Sequence, residues 1–204
     1  NINIVHARSR APAWSAYFAS KRMKSQFLTT FHGTYNYNNL IKKYYNSIMT
    51  RGEVTIAISN FISKHVEENY KLTKNKIKVI PRGIDINKFD SANVSHERIL
   101  QLFKLWNLPD EATVIMLPGR VTRWKGHKVL IESISQINND NLICLFVGDF
   151  EKKASYKAEL ETLIRKKKLE KIFRFVGDCQ DMPAAYMLSD IIVSSSTDPE
   201  AFGR

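Results

Sequence analysis

Two basic residues, Arg120 and Lys125, follow a short apolar run in residues 113–128 and stand beside two glycines. The run ends before Gly119, and Gly126 precedes a new apolar pattern of helical spacing, so we predict a strand, a turn and a helix. Cations fixed beside glycines at a strand-to-helix turn can hold a phosphate or a diphosphate. The alternative is a pair of solvated loop charges, because the stretch contains neither a phosphate loop nor a dinucleotide-binding fingerprint.

Further apolar runs, separated by segments of helical pattern, are expected to position these residues. The alternation of strand and helix predicts an α/β fold with parallel sheets, in which ligands bind at the carboxyl ends of the strands. Every candidate residue named above lies at such an end. The remaining strands are predicted at residues 2–5, 26–31, 54–58, 77–80, 142–147, 172–176 and 191–194.

The motifs at these strand ends resemble those of retaining glycosyltransferases of family 4, which have the GT-B fold of two Rossmann-like domains. The resemblance implies an acceptor-side domain in residues 1–88, a crossover and linker helix in residues 89–108, and a nucleotide-sugar-binding domain in residues 109–204. Both domains would be incomplete, so we expect an internal fragment that is inactive by itself. The matching stretches are TTFHGTY, AISNFISKHV, VIPRGIDINKF, GRVTRWKGH, LFVGD, FRFVGD and SSSTDPEAFGR.

The resemblance also implies roles for particular residues. Arg120 and Lys125 would stabilise the departing diphosphate, while His32 and Glu200 would face the transferred sugar. A second glutamate of the last motif would fall beyond the end of the chain, and Arg82 stands where the family usually has asparagine. Contacts with the donor are implied for Gly119, Gly126, Gly177, Ala201, Phe202 and Gly203.

The implied activity is transfer of a sugar from a nucleotide-diphosphate sugar to a glycan or glycolipid acceptor with retention, in cell-envelope polysaccharide or lipopolysaccharide synthesis. No metal and no other cofactor is expected, because Arg120 and Lys125 would neutralise the diphosphate and the sequence contains no Asp-x-Asp pattern. The alternative is a non-catalytic protein of the same fold, which would act through its basic half on a membrane or on nucleic acid.

The net charge of +11 lies entirely in the first part of the chain: residues 1–88 hold 15 Lys and Arg against 4 Asp and Glu, and residues 89–204 hold 16 of each. This asymmetry favours an anionic partner, which could be lipid headgroups, an acidic glycan or nucleic acid; the alternative is a basic face without a specific partner. Of these partners, peripheral contact with an anionic membrane is kept as an expectation, and nucleic acid is not expected. No apolar run approaches the ~20 residues of a membrane helix. We therefore expect a cytoplasmic protein, with peripheral contact at the inner face of the membrane left open.

Two further groups of residues leave alternatives open. Residues 35–50 combine Lys42 and Lys43 with an apolar and aromatic stripe; a packed core face is the favoured interpretation, and a helix lying on a membrane is the alternative. After the first predicted strand, an acceptor could be held by a cluster of basic side chains, although loop solvation is slightly favoured there. These side chains are His6, Arg8 and Arg10.

Overall fold

The computed structural model describes residues 2–35, 39–139, 141–150 and 154–202. The chain forms two compact units, each built around a parallel sheet of four strands. Unit 1 comprises Asn1–Ile84 and Glu200–Arg204, and unit 2 comprises Asp85–Pro199. The predicted α/β fold with parallel sheets is thus confirmed. The limits 1–88, 89–108 and 109–204 stay predictions about the domains of the full-length protein.

Unit 1 contains a sheet whose strands follow one another in chain order, β1-β2-β3-β4. Its core joins Phe27 and Phe31 of the sheet to Ile62 of a helix, and all three side chains are buried. That helix begins after Ser59, whose hydroxyl accepts a hydrogen bond from the Ile62 amide at 3.2 Å and so caps the first turn. The strands are β1 (Ile4–Ala7), β2 (Gln26–Phe31), β3 (Val54–Ala57) and β4 (Ile77–Val79), and the helices are α1 (Arg10–Met23), α2 (Leu40–Ser47) and α3 (Asn60–Tyr70).

The apolar stripe of α2 is not a core face, which corrects the favoured interpretation of residues 35–50. Leu40 and Ile41 are 83% and 79% exposed, and the side chains of Tyr44 and Tyr45 are exposed as well. Helical spacing locates a stripe on one side of a helix but does not say whether another element covers it. The chain buries the next turn instead, where Ile48 and Met49 form a short 3₁₀ helix over the sheet.

Unit 2 contains a sheet in the order β7-β6-β5-β8, with β5 and β6 at its centre. All six residues of β6 are buried, as the continuous apolar run predicts for a strand covered on both faces. The last strand is shorter than the predicted 191–194 and pairs with β5 through only two residues. The strands are β5 (Thr113–Pro118), β6 (Leu142–Val147), β7 (Phe173–Gly177) and β8 (Ile191–Ile192), and the helices are α4 (His96–Leu105), α5 (His127–Ile134), α6 (Ala154–Lys166) and α7 (Met182–Leu188).

Among the described residues, every helix is too short or too polar to cross a bilayer.

Candidate functional site

Three glycines connect the carboxyl ends of β5, β6 and β7 in unit 2. The Gly119 amide donates to the Val147 carbonyl at 2.8 Å, and the Gly148 amide donates to the Gly177 carbonyl at 2.7 Å. A Cβ atom on Gly148 would lie 2.2 Å from the Gly119 carbonyl oxygen, so only glycine permits this approach. The result is a strand-end surface made of closely packed backbone. Gly119 and Gly177 were predicted for this site, and Gly148 was not.

Lys125 lies against this backbone surface. Its Cε atom is 3.4 Å from the position that a Cβ atom of Gly119 would occupy, and its ammonium is 4.6 Å from the centre of the Trp124 ring. Arg120 directly follows Gly119 and is exposed to solvent. The structure therefore brings Lys125 and Gly119 into contact and leaves Arg120 beside them at the same strand end, which is an arrangement suited to an anion.

A third cation of the same stretch, Arg123, is already paired. Its guanidinium donates to both carboxylate oxygens of Glu159, at 3.0 and 2.6 Å, and lies 4.8 Å from the centre of the Tyr156 ring. Hydrogen bonding to the guanidinium lowers the pKa of Glu159, and the same bonds raise the pKa of Arg123. The structure thus shows that Arg123 binds the carboxylate of Glu159, a contact that the sequence alone does not indicate.

Gly126 has a packing role at the start of α5. Its φ angle is +74°, and a Cβ atom there would lie 1.8 Å from the Ser195 carbonyl oxygen. The Ser195 hydroxyl donates to the carbonyls of Lys125 and Gly126, at 3.2 and 3.0 Å, and the Thr197 amide donates to the Trp124 carbonyl at 2.8 Å. The turn that carries Lys125 is therefore fixed by the segment after β8. Ser195 was not among the predicted site residues, because nothing near it in sequence indicates this contact.

His127 is fully buried at the first position of α5 and packs edge-on against Phe146 at 4.8 Å between ring centres. Among the described residues, neither ring nitrogen has a hydrogen-bond partner of good geometry. Burial lowers the pKa of His127 to about 4; the backbone of Thr122 opposes the shift, and the charge of Lys125 adds to it. The imidazole is thus neutral at pH 7 and belongs to the core beneath the turn.

In unit 1, the predicted site residue His32 follows the end of β2 and contacts Arg82, which follows β4. The Nη2 atom of Arg82 is 2.6 Å from Nδ1 of His32. Burial lowers the pKa of His32, and the positive charges of Arg82, Arg8 and His6 lower it further. The Arg10 guanidinium is engaged elsewhere, since it donates to Asn46 at 2.8 Å and lies 4.4 Å from the centre of the Tyr35 ring.

The predicted donor contacts near the end of the chain also belong to unit 1. The Ser59 hydroxyl donates to the Ala201 carbonyl at 2.6 Å, and Ala201 and Phe202 pack against the core of this unit. Glu200 is half-buried at the start of the same short segment. Gly203 lies outside the described residues.

Within the part of the chain that the structure describes, there is no group of three or more His, Cys, Asp or Glu side chains that could hold a metal ion.

The chain is similar in sequence and fold to known glycosyltransferases and related structures. A glycosyltransferase from Rickettsia africae is 45% identical to this chain, and its crystal structure matches with a TM-score of 0.90. The match covers 100% of this chain and 54% of the Rickettsia chain. The Anabaena protein Alr3699/HepE, whose structure was solved with UDP and glucose, shares the fold with a TM-score of 0.86 at 23% identity. The match covers 99% of this chain and 55% of the Anabaena chain. An uncharacterised glycosyltransferase of Methanocaldococcus jannaschii, MJ1059, is 26% identical over 69% of this chain and 33% of its own length.

The chain therefore spans about half the length of the two solved structures. Its match to MJ1059 spans a third of the length of that protein. The model of Glycosyltransferase Family 4 matches residues 1–88, and the model of Glycosyl transferases group 1 matches residues 99–204. Since the second match covers more than half of the 204 residues, the chain belongs to the glycosyl transferases of group 1 and has the GT-B fold.

Proposed function

We propose that the full-length protein transfers a sugar from a nucleotide-diphosphate sugar to a glycan or glycolipid acceptor, with retention at the anomeric carbon. The observation that carries the proposal is Lys125 lying over the glycine surface at the end of β5, with Arg120 beside it. The relative from Anabaena, which was solved with UDP and glucose, supports UDP as the nucleotide of the donor. Synthesis of cell-envelope polysaccharide or lipopolysaccharide is the proposed setting.

In this mechanism, the two cations act on charge that grows as the bond at the anomeric carbon breaks. Arg120 and Lys125 stabilise the departing diphosphate, the backbone at Gly119 and Gly177 lets the phosphates approach, and Gly126 fixes the turn that carries Lys125. The neutralisation comes from these side chains, so we propose that turnover needs no metal. The sugar would be bound by Glu200, Ala201, Phe202 and Gly203, with His32 on the acceptor side.

Turnover of the full-length protein with a panel of nucleotide sugars, followed by product mass and anomeric configuration, tests the proposal. We expect Arg120→Gln and Lys125→Gln each to lose ~2 to 4 kcal/mol of transition-state stabilisation, seen mainly in kcat. Arg123→Gln is the matched control, because this cation is paired with Glu159 and should change kcat little. A rise in KM with unchanged kcat in the first two variants would contradict the assignment, and loss of turnover in EDTA would contradict the absence of a metal.

We also propose that unit 1 contacts an anionic membrane at the cytoplasmic face. The outer side of α2 exposes Leu40 and Ile41 together with Tyr44 and Tyr45. The adjacent Lys42 is exposed too, so apolar, aromatic and basic groups share one surface. A helix of this kind binds by inserting its apolar side while its cations attract anionic headgroups.

Binding of the full-length protein to vesicles of rising anionic lipid content, at two salt concentrations, tests this contact. We expect binding to increase with anionic lipid and to weaken with salt, because exposed charges are screened beyond ~8 Å at physiological ionic strength. Ile41→Ser should weaken it, while Ile86→Ser, at a similarly exposed isoleucine of unit 2, should not. Binding that is indifferent to salt and to Ile41→Ser would mean that α2 is simply a solvated helix.

A further inference from the structure

Two arginines and one histidine follow the carboxyl ends of three strands in unit 1. Arg8 follows β1, His32 follows β2 and Arg82 follows β4, and the strands are parallel, so all three residues lie at one edge of the sheet. Arg82 contacts His32 directly, and Arg8 is near enough for its charge to act on the same ring. The edge is therefore strongly cationic.

The contact between Arg82 and His32 decides where the protons are. A guanidinium has only donors, so Nδ1 of His32 accepts from Arg82 and the ring must be neutral, with its proton on Nε2. A protonated ring would offer no acceptor and would place a third charge between two cations. His32 thus holds Arg82 in position, and its Nε2–H group remains as a donor for a ligand.

Both arginines have donors that no described residue uses. Arg82 gives one hydrogen bond to His32, and its Nε atom is buried without a partner among residues 2–35, 39–139, 141–150 and 154–202. Neither Arg8 nor Arg82 forms an ion pair with a carboxylate within these same ranges. Two other arginines of the chain show the usual outcome, since Arg98 and Arg123 each bind a carboxylate through two hydrogen bonds.

We propose that Arg82, held by His32, and Arg8 bind an anionic group of the acceptor, either a carboxylate or a phosphate. This inference rests on the proposed function, because that function assigns this edge of the sheet to the acceptor. A planar guanidinium presents two parallel N–H donors that match the oxygens of either anion. Because both arginines are positively charged, they would make this chain selective for charged acceptors over neutral ones.

The experiment follows the histidine ring signals of the full-length protein by NMR, with ¹⁵N-labelled histidine and saturating UDP. The probes are inorganic phosphate, glucuronate and glucose, the last being the neutral counterpart of glucuronate. We expect at least one of the two anions to shift the His32 signal at concentrations at least tenfold below those needed for glucose. A response to phosphate alone identifies a phosphate group, and a response to glucuronate alone identifies a carboxylate.

Variants decide whether the binding depends on the arginines of this edge. Arg82→Asn should weaken anion binding at least tenfold, Arg8→Gln should weaken it severalfold, and Arg82→Lys should give an intermediate loss. Arg22→Asn, at an exposed cation in the last turn of α1, is the matched control and should leave binding unchanged. Each variant is first shown to unfold at the same temperature as the unmodified protein.

Three results would overturn the inference: no response to either anion, equal affinity for glucose and glucuronate, or an equal loss in the Arg82 and Arg22 variants. Binding of UDP and turnover with the panel of nucleotide sugars separate this failure from a failure of the proposed function. If UDP binds and a sugar is transferred while the anions have no effect, only the anion site is wrong. If no nucleotide sugar binds, the proposed function itself is wrong.

Discussion

Lowering the pH from neutrality should destabilise unit 2 through the buried imidazole of His127. Its pKa is about 4 in the folded protein and 6.5 when exposed, a difference of about 2.5 units, and each unit corresponds to about 1.4 kcal/mol. Above pH 6.5 the ring is neutral in both states. As the pH falls from 6.5 to 4, the unfolded chain takes up a proton that the folded one does not, so the free energy of unfolding falls by up to about 3 kcal/mol.

Urea unfolding of the full-length protein at pH 7.5, 6.5, 5.5 and 5.0, followed by a signal from unit 2, measures this loss. The loss over this range is about 2 kcal/mol, so we expect the midpoint to fall by about 0.7–2 M, and by much less in His127→Gln, in which residue 127 does not titrate. His96→Gln is the matched control, because His96 is exposed and its removal should leave the pH dependence as it was. An equal pH dependence in the unmodified protein and His127→Gln would refute the reasoning.

Two more predictions concern stability, measured as the free energy of unfolding in urea. Gly126→Ala should cost about 2–4 kcal/mol, because the backbone there is left-handed and the new methyl group would meet Ser195. Gly33 has open space around it, so Gly33→Ala should cost under about 1 kcal/mol. Equal costs for the two variants would contradict the packing role of Gly126. The Asp181 carboxylate binds Arg98 at 2.6 Å and accepts a hydrogen bond from the Ala184 amide at the start of α7. Asp181→Asn removes the charge of the ion pair and should cost about 0.5–1 kcal/mol. Asp181→Ala removes the helix cap as well and should cost about 1–2 kcal/mol. The cost of the Asn variant should vanish as acid protonates the carboxylate, whose pKa is lowered by hydrogen bonding to Arg98.

The sequence by itself was sufficient for the fold class and for the central strands of unit 2. The apolar run 142–147 is too short for a helix and apolar at every position, and it forms the buried strand β6 with the predicted limits. The edge strand β8 was predicted too long, because pairing with β5 ends after two residues and the segment then turns to bind the loop at Gly126. Strand limits at a sheet edge depend on the partner strand, which a local pattern does not contain.

Which side chains are available for chemistry was decided by tertiary structure. Arg120, Arg123 and Lys125 are alike in sequence, but only Arg123 meets Glu159, a residue that the packing of α6 against α5 brings near it. Likewise, Arg82 meets His32 although 50 residues separate them, since parallel strands bring their carboxyl ends to one edge. The exposed stripe of α2 has the same origin, because periodicity fixes which residues share a face and only packing fixes what covers that face.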